Sequence, residues 1–475
     1  MSAITIARGD GIGPEIMQVT LDVITAAGAE LTLSEVEMGE SVYQQGEPTG
    51  ISEAAWEHLA QSQVLLKGPM STPQGGGFTS VSLQLRKQLG LYASVRPCVS
   101  YSPYVHTRYA SMDVVIIREN EEDIYGGIEY RQTTDVVQSL KWVSRPACEK
   151  IIRYAFEYAR RHGRRKVSAF TKDRIMEFTD GFFKQIFMEI AQDYPELEYE
   201  HQSLDIGTAR LTSHPDKFDV IVIPNLYGDI LSDLVAQITT GSVGLTGSAN
   251  VGDRCVMFEA IHGSAPNIAG EDIANPSGLI LAAVMMLVHL HQIEVAEKVQ
   301  NAWLTTLEEG LHTADIFREG LSFQKLGTRA FGQAVIERLG RKPRHLPSVH
   351  FSKRNTPTAF AYHRPEIERE LVGVDVFLDW TKGTPADLAN ALPALKPLQN
   401  QAQWQLEMIS NLGVVVWPSS FPETRYCDHW HCRYTATDPQ HIDIVHLLSA
   451  LKNAGFDFIK TENLYRINGK LAYSA

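Results

Sequence analysis

The feature that most constrains the fold is an alternation of short apolar runs with amphipathic helical patterns, which continues from the start of the chain to about residue 340. Apolar runs bounded by turn residues are typical of buried strands, and strands that alternate with helices are typical of an α/β architecture. The predicted strands are residues 3–7, 63–68, 112–120, 166–171 and 219–225. The predicted helices are residues 14–28, 51–61, 147–163 and 180–194.

The size and charge of the chain limit the classes of protein to which it can belong. A chain of 475 residues is too long for one ordinary hydrophobic core, so two or three domains are expected. The net charge of −13 argues against nucleic acid as a main partner, because binding a phosphate backbone needs a basic face. A small anionic substrate is compatible with this charge, since it needs only a local cationic pocket.

The cysteines and the apolar runs indicate a cytoplasmic protein. The five cysteines are scattered and odd in number, which is typical of reduced thiols. The start of the chain lacks a basic region followed by an apolar run, so no signal peptide is expected. The longest apolar run, residues 278–290, is shorter than the roughly 20 residues of a membrane span. It predicts a buried core helix, and no membrane partner is expected.

The composition changes after residue 340. Residues 341–370 are basic, rich in Pro and short of apolar periodicity, so they are expected to form a linker. Residues 371–475 then show the order strand, helix, strand, strand, helix, strand, in which residues 408–418 count as one strand. This order predicts a ferredoxin-like α+β domain.

Two carboxylates stand four residues apart in PNLYGDILSDL, residues 224–234, which follows an apolar strand and leads into a helical pattern. Asp229 and Asp233 would therefore lie on one helix face, where like charges repel each other. A solvated helix start, favoured by the helix dipole, is one explanation. The other is a divalent cation such as Mg²⁺, which prefers carboxylate oxygens. The residues alone leave both explanations open.

Further charged residues are expected where other strands end. Arg118 ends an apolar strand, and its anionic partner is either a neighbouring acid, Glu119 or Glu121, or a substrate carboxylate. Lys172 ends another strand, where it either has a perturbed pKa or extends its ammonium group to solvent. Asp205 ends a third strand. Ligands of open α/β sheets bind at the carboxyl ends of strands, so these side chains are candidates for a site.

The segment 67–97 combines a glycine triplet with hydroxyl and cationic side chains. Ser80 and Ser82 lie at the expected start of a helix, where they either bind an anion or act as ordinary helix caps. Arg86 follows Ser82 by four residues and is either directed at the same anion or a surface charge. Arg96 lies beyond them, next to a proline.

Two glycine-rich segments and a tyrosine complete the set of candidate site residues. RGDGIGPE, residues 8–15, has the spacing G-x-G-x-G rather than the G-x-G-x-x-G of a dinucleotide-binding fold. It predicts a flexible turn before a helix that starts at Pro14, with contact to a ligand as the alternative. Residues 258–278 form a long loop of small residues, which is suited to wrapping a flat or phosphorylated ligand. Tyr125 is either a packing residue or a proton donor.

Taken together, these segments resemble the β-decarboxylating dehydrogenases, the family of isocitrate, isopropylmalate and homoisocitrate dehydrogenases. The motifs STPQGGG, LYASVRP, IRENEEDIYGGIE, PNLYGDILSDL and HGSAPNIAG occur in that family's order over residues 1–340. The resemblance implies a nicotinamide cofactor on a non-Rossmann α/β fold, which agrees with the missing dinucleotide spacing. The implied parts are a large domain of residues 1–91 and 240–340 and a small domain of residues 92–239 that carries a dimer clasp at about 124–145.

The resemblance also assigns roles to individual residues. The substrate carboxylates would be held by Ser80, Ser82, Arg86, Arg96 and Arg118. Tyr125 would protonate the enolate left by decarboxylation, and Lys172 of the partner subunit would handle the hydroxyl proton. Asp229 and Asp233, with Asp205 of the partner subunit, would bind Mg²⁺ or Mn²⁺. The cofactor would contact Thr72, His262, Gly263, Ser264, Ala265, Pro266, Asn267, Ile268 and Asn275.

The implied reaction is the oxidative decarboxylation of isocitrate, a tricarboxylate, to 2-oxoglutarate and CO₂ in a homodimer or larger homo-oligomer. The polar stretch TSVSLQ, residues 79–84, resembles isocitrate enzymes, whereas isopropylmalate enzymes have an acid and leucines there. Ser82 and Arg174 stand where most isocitrate enzymes have Asn, so homoisocitrate and isopropylmalate dehydrogenases stay as alternatives. A non-catalytic regulatory subunit is another alternative, but the presence of every implied catalytic and metal-binding residue favours the enzyme.

The choice of cofactor is expected to depend on Asn267, Ile268 and Ala274. NADP enzymes of the family have Lys and Tyr at the first two of these positions, where they bind the 2′-phosphate, so the resemblance implies NAD. Arg318 is a nearby cation that could reach a phosphate, which leaves NADP as the alternative. The C-terminal domain resembles an extension of some bacterial isocitrate dehydrogenases, and self-association is its expected role.

Overall fold

A computed structural model of the chain describes residues 1–71, 80–352, 362–393, 402–419, 421 and 423–474. The chain forms two compact units. The first comprises Met1–Tyr125 and Trp142–Ala361, and the second comprises Gly126–Lys141 and Tyr362–Ala475. The first unit is mixed α/β and the second contains an antiparallel sheet, so the predicted fold class is confirmed. The division of residues 1–340 into a large and a small domain stays a prediction.

The secondary structure follows the predicted alternation, with every predicted strand and helix of the first unit present to within a few residues. The strands are β1 (Ser2–Ala7), β2 (Leu31–Glu35), β3 (Val64–Lys67), β4 (Ala93–Val99), β5 (Asp113–Glu119), β6 (Glu129–Arg131), β7 (Val137–Ser139), β8 (Lys166–Thr171), β9 (Glu198–Ser203), β10 (Val220–Ile223), β11 (Gly247–Val251), β12 (Val256–Ala260), β13 (Leu311–His312), β14 (Gln324–Lys325), β15 (Arg369–Asp379), β16 (Gln405–Asn411), β17 (Val414–Trp417), β18 (His429–Thr435), β19 (Asp457–Ile467) and β20 (Lys470–Leu471). The helices are α1 (Gly13–Ala26), α2 (Glu40–Gln44), α3 (Glu53–Ser62), α4 (Val81–Gln88), α5 (Arg145–Arg161), α6 (Asp180–Ala191), α7 (Leu204–Leu211), α8 (Asn225–Thr240), α9 (Ser277–His289), α10 (Ile293–Glu308), α11 (Thr328–Ile336), α12 (Pro385–Ala391) and α13 (His441–Asn453).

The first unit is built on a ten-stranded sheet with the order β2-β1-β3-β12-β11-β4-β5-β10-β8-β9. Most neighbours are parallel, but β11 is antiparallel to both of its neighbours and β4 is antiparallel to β5. The centre of the sheet is therefore mixed, unlike the parallel sheet of a Rossmann fold.

The apolar run at 278–290 forms α9, a helix buried in the largest core, as its composition predicts. Trp303 of α10 lies in the same core, and its indole nitrogen donates a hydrogen bond to Ser277 Oγ at 2.8 Å. In the described parts of the chain, no helix combines the length and the apolar character that crossing a bilayer requires.

Local sequence fixes where the two helices near the expected site begin and end. Helix α8 begins directly after Pro224 and ends at Gly241, whose φ of +80° is the left-handed conformation that glycine adopts readily. Helix α4 begins after Ser80, whose hydroxyl accepts a hydrogen bond from Leu83 N at 3.5 Å. Ser80 is thus a helix cap, as one of the two sequence interpretations expected.

The second unit contains a six-stranded antiparallel sheet with the order β17-β16-β18-β15-β19-β20. The order β16-β18-β15-β19, with α12 and α13 in the connections, is the predicted ferredoxin-like arrangement. The single strand expected at 408–418 is wrong: β16 and β17 form a hairpin instead. Leu412 and Gly413 have φ values of +51° and +78°, which is the tight turn that a two-residue hairpin needs.

The second unit also includes most of the segment expected to form a dimer clasp. Strands β6 and β7 pair as a short antiparallel hairpin. At its tip, Thr133 Oγ1 donates a hydrogen bond to Asp428 Oδ1 at 2.5 Å, and Asp135 N donates to Asp428 Oδ2 at 3.3 Å. The hairpin is therefore bonded to the residue that precedes β18, which nothing in the sequence indicated.

Candidate active site

The carboxyl ends of β5 and β10 bring four expected side chains together. Arg118 lies near the end of β5 and is in register with Ile223, the last residue of β10. Helix α8 follows β10 and carries Asp229 and Asp233, and β4, the other neighbour of β5, carries Arg96. Of the side chains expected at strand ends, Arg118 and the acid pair meet here, whereas Arg96 comes from the middle of β4.

Arg118 is fully buried, and its hydrogen-bond partners are on helix α8. Its Nε and Nη2 donate to Asn225 Oδ1 at 2.9 and 2.7 Å, and its Nη1 donates to Asp229 Oδ1. The sequence interpretation that paired Arg118 with Glu119 or Glu121 is wrong. Glu119 instead accepts a hydrogen bond from Glu121 N at 2.7 Å, which orders the loop after β5.

Arg96 is the second buried cation beside the acid pair. Its Nη1 donates to Ser232 Oγ at 2.5 Å and lies 3.5 Å from Asp233 Oδ1, and its Nη2 lies 3.5 Å from Asp229 Oδ1. Burial and the positive charge of Arg96 lower the pKa of Arg118 to about 9. Two cations so close together stabilise the bound form of an anion that approaches them.

Tyr125 is half-buried and points at the same carboxylate. Its hydroxyl donates to Asp229 Oδ2 at 2.8 Å, and its ring centroid lies 5.1 Å from the guanidinium carbon of Arg118. Burial and the charge of Asp229 raise the pKa of Tyr125, while Arg118 opposes the shift. The phenol therefore stays protonated at neutral pH, as a proton donor must.

The acid pair has the properties of a site for a divalent cation. The side chains of Asp229 and Asp233 are 42% and 59% exposed, so oxygen atoms are accessible. Burial raises the pKa of Asp233, and the negative charge of Asp229 adds to this effect although Arg96 opposes it. A dication would relieve that repulsion, so the donor set fits Mg²⁺ or Mn²⁺.

Lys172 and Asp205 form a separate group in the first unit. Lys172 Nζ lies 3.1 Å from Asp205 Oδ2, and the Ser203 hydroxyl donates to Asp205 Oδ1 at 2.6 Å. Hydrogen bonds from Ser203 and Lys172 lower the pKa of Asp205 to about 2. Asp205 lies in the first turn of α7 rather than at the end of a strand.

No three His, Cys, Asp or Glu side chains form a group that could hold a metal within the described ranges of one chain. Asp205 therefore does not complete such a group with Asp229 and Asp233 of its own subunit. Its contribution from a partner subunit, like that of Lys172, stays a prediction.

A buried ion network that the sequence reasoning missed lies at the end of β3. Lys67 is 1% exposed, and its Nζ is 2.7 Å from Glu259 Oε2 on the adjacent strand β12. Glu259 Oε1 accepts from Arg86 Nη2 at 3.1 Å and from Asn250 Nδ2 at 2.8 Å. Burial alone would raise the pKa of Glu259, but Lys67 and Arg86 outweigh it and hold the carboxyl ionised. The sequence feature that could have revealed this network is Lys67 at the end of an apolar strand, the same pattern that made Lys172 a candidate.

This network lines a cavity of about 150 Å³ that also holds predicted substrate and cofactor residues. Arg86 Nε is buried in it without a hydrogen-bond partner among the described residues, which leaves a donor for a ligand. Thr72 and the glycine triplet lie outside the described residues. The lining includes Lys67, Met70, Ser82, Arg86, Arg96, Glu259, His262 and Gly263.

The long loop after β12 holds the other predicted cofactor residues. His262 Nδ1 lies 3.0 Å from Gly263 O, and its Nε2 is buried without a partner in the described part of the chain. Burial lowers the pKa of His262, so the ring is neutral at pH 7. Asn267 lies in a short 3₁₀ turn and is exposed, and Asn275 Nδ2 donates to Asp315 Oδ2 at 3.0 Å.

Comparison with known proteins identifies the family of the chain. Residues 3–335 match the isocitrate/isopropylmalate dehydrogenase family. The chain belongs to that family. Residues 369–475 match the C-terminal domain of bacterial isocitrate dehydrogenase. The match covers both units and confirms the family and the C-terminal extension that the motifs indicated.

Relatives named isocitrate dehydrogenase and one solved structure match much or nearly all of the chain. "Isocitrate dehydrogenase [NADP]" of Rickettsia bellii (strain RML369-C) is 47% identical over 478 residues, which cover 99% of this chain and 98% of the relative. The crystal structure of TT0538 protein from Thermus thermophilus has a TM-score of 0.90 at 38% identity and covers 99% of this chain and 95% of its own. "Isocitrate dehydrogenase [NAD] catalytic subunit 5, mitochondrial" of Arabidopsis thaliana is 46% identical but covers 66% of this chain and 83% of its own.

The predicted NAD cofactor is contradicted by these relatives. Those that match over 99% of this chain, at 38–47% identity, carry names with NADP. The prediction relied on the lack of a cation at Asn267, Ile268 and Ala274 and left Arg318 only as the alternative phosphate contact. In the structure Arg318 is exposed, and it lies three residues beyond Asp315, which accepts a hydrogen bond from Asn275 of the cofactor loop. The error was to give the residues at 267, 268 and 274 more weight than this cation.

Proposed function

We propose that the protein is an isocitrate dehydrogenase that oxidises and decarboxylates isocitrate to 2-oxoglutarate with NADP and Mg²⁺ or Mn²⁺. The observation that carries the proposal is the group of Arg96, Arg118, Tyr125 and the acid pair Asp229 and Asp233. It combines cations for substrate carboxylates, a protonated phenol and ligands for a metal within hydrogen-bonding distance of one another. Its membership of the family and the names of its full-length relatives support the same reaction.

The arginines provide the binding energy for a tricarboxylate. Arg96 and Arg118 are buried and held by Ser232 and Asn225, so their guanidinium groups lose little freedom when they bind a carboxylate. Arg86 is oriented by Glu259 and keeps an unpartnered buried Nε among the described residues. Three such cations suit a substrate with three carboxylates.

Asp229 and Asp233, with Asp205 of the partner subunit, would hold the metal. When bound, the metal supplies Lewis-acid stabilisation for the negative charge that develops as CO₂ leaves, and NADP supplies the hydride acceptor. The arginines beside Asp229 lower its pKa against the effect of burial, so its oxygens are available as ligands at neutral pH.

Two protons must be moved in this reaction. Tyr125 keeps a proton on its hydroxyl oxygen through its raised pKa and donates it to the enolate carbon after decarboxylation. Lys172 of the partner subunit would take the proton of the substrate hydroxyl in its neutral amine form and become an ammonium group. Its Nζ lies 3.1 Å from Asp205 Oδ2 of the same chain, which keeps it next to a metal ligand and pairs with the ammonium that forms. A cytoplasmic homodimer, or a larger homo-oligomer, is the state in which these shared sites are complete.

The test is to measure reduced-cofactor absorbance with purified protein, isocitrate and Mg²⁺, and to compare kcat/KM for NADP and NAD. We expect activity that is abolished by a chelator and a higher kcat/KM with NADP. Turnover that survives complete chelation would contradict the metal assignment. Homoisocitrate and isopropylmalate serve as control substrates, and a higher kcat/KM for either of them would contradict the substrate.

A further inference from the structure

The glycine-rich turn at residues 8–13 lies between the two segments that lead into the cofactor side of the site. One segment is residues 68–71, which follow β3. The other is residues 261–268, the loop after β12 that holds most of the expected cofactor contacts. The position of the turn points to a role beyond that of a flexible connection.

The turn is bonded to both segments through its backbone. Asp10 N donates to Pro69 O at 2.8 Å, and Ile12 N donates to Ser264 O at 2.8 Å. Helix α1 begins directly at Gly13, one residue earlier than expected, so the turn is anchored to a rigid element. These bonds contradict the prediction of a merely flexible connection.

Two glycines make this close contact sterically possible. A Cβ on Gly9 would lie 2.2 Å from Pro69 O, and a Cβ on Gly11 would lie 2.0 Å from Ser264 O. Both glycines also have positive φ, at +74° and +56°, which other residues rarely adopt. The sequence places glycine where the turn touches each segment.

The carboxylate of Asp10 adds side-chain bonds to the backbone contacts. Ser71 N donates to Asp10 Oδ2 at 2.8 Å, and Glu40 N lies 3.5 Å from the same oxygen. Ser71 Oγ lies 2.9 Å from Ser264 Oγ, which joins the two segments directly. Asp10 therefore fixes Ser71 where it contacts the cofactor loop.

We propose that Asp10 is a positioning residue for the nicotinamide dinucleotide cofactor. It holds residues 68–71 against Ser264 and so sets the width of the space into which the dinucleotide binds. This inference deepens the proposed function, because it concerns the cofactor side of the same site. Asp10 acts through residues 68–71, since its bonds are made to the backbone of Pro69 and Ser71 and to Glu40 N.

The test is the affinity for NADP of the Asp10→Ala variant, measured by titration calorimetry without turnover. Loss of an ionised acceptor for a backbone N–H should raise the Kd for NADP roughly tenfold. The KM for isocitrate at saturating NADP and kcat should stay within about twofold, because the arginine cluster is anchored elsewhere. Asp10→Asn keeps an acceptor oxygen for Ser71 N and should restore most of the affinity.

Asp22→Ala is the matched control, since Asp22 is exposed on α1 and bonds only locally to Gln18. Wild-type affinity for NADP in Asp10→Ala, or an equal loss of isocitrate affinity, would overturn the inference. If Asp10→Ala does not fold, the Ser71→Ala variant is the test. It removes the contact with Ser264 Oγ and should raise the Kd for NADP a few-fold. An unchanged Kd would overturn the inference.

The proposed function and this inference can fail separately. A wild-type protein that binds NADP but does not oxidise isocitrate refutes the proposed function alone. A wild-type protein that binds no NADP refutes both.

Discussion

At the scale of single residues, the site is made by buried charges whose partners come from other elements. Arg118 and Lys67 both end apolar strands, where a charge without a partner would cost several kcal/mol. Arg118 is bonded to Asn225 and Asp229, and Lys67 to Glu259. The sequence shows that each cation needs a partner, but the partner lies more than 100 positions away in the chain. Only the fold identifies it.

A pH effect on stability is expected from Glu119, the buried last residue of β5, which precedes the loop that leads to Tyr125. Burial raises its pKa from 4.5 to about 8, although the backbone N–H groups of Glu121 and Glu122 oppose the shift. The folded state therefore keeps a proton that the unfolded state loses. The contribution to stability is complete below pH 4.5 and is lost as the pH rises to about 8.

The Glu119→Gln variant tests this effect, because its amide is neutral at every pH. Relative to the variant, the wild type should lose free energy of unfolding, on the order of a few kcal/mol, between about pH 5 and pH 8. Urea denaturation of both proteins across this range gives the difference. A difference that does not change with pH would show that Glu119 is ionised in the folded state throughout.

At the scale of secondary-structure elements, the ends of the helices agree closely with the capping residues and glycines of the sequence. One wrongly predicted strand has a simple cause. Thr384 caps α12 with a hydrogen bond from Asp387 N at 3.3 Å, and Gly455 ends the helical region after α13 with a φ of +86°. The mostly apolar composition of residues 408–418 predicts one strand, although Gly413 stands in the middle. An interior glycine in a strand pattern indicates a turn or bulge.

The local stability of the β6–β7 hairpin should depend on Asp428. Asp428→Ala removes the carboxylate that accepts from both donors at the hairpin tip, Thr133 Oγ1 and Asp135 N. We expect faster hydrogen exchange, by roughly tenfold for a loss of about 1.4 kcal/mol, in peptides that cover residues 126–141. The exposed Asp457 offers a control, and Asp457→Ala should leave these peptides unchanged. Equal exchange in Asp428→Ala and wild type would mean that the bonds do not stabilise the hairpin.

At the scale of the whole molecule, the proposed catalytic residues fall into two groups in one chain. Arg96, Arg118, Tyr125 and the acid pair form one group, and Lys172 with Asp205 forms the other. The proposed reaction needs both groups in one site, so we expect each site to combine residues of two subunits.

Subunit mixing tests this arrangement. Lys172→Ala and Asp229→Ala should each be inactive alone, because every site of each homodimer lacks one residue. In an equal mixture that is unfolded and refolded together, about half of the dimers are mixed and each has one complete site, so about a quarter of wild-type activity should return. Separate refolding followed by mixing is the control. No recovery after joint refolding would contradict sharing between subunits.

The sequence by itself determined the fold class, the order and bounds of most elements, the ferredoxin-like domain and the residues of the cation and acid groups. These depend on local periodicity, caps and turn residues, and on motifs that are contiguous in the chain. The tertiary structure alone decided which partners neutralise Arg118 and Lys67, how the turn at residues 8–13 joins two distant segments and where Asp428 bonds the hairpin. Each of these is a contact between residues far apart in the chain, and a buried charge or an unpaired N–H group is satisfied by whichever group the packed fold brings to it.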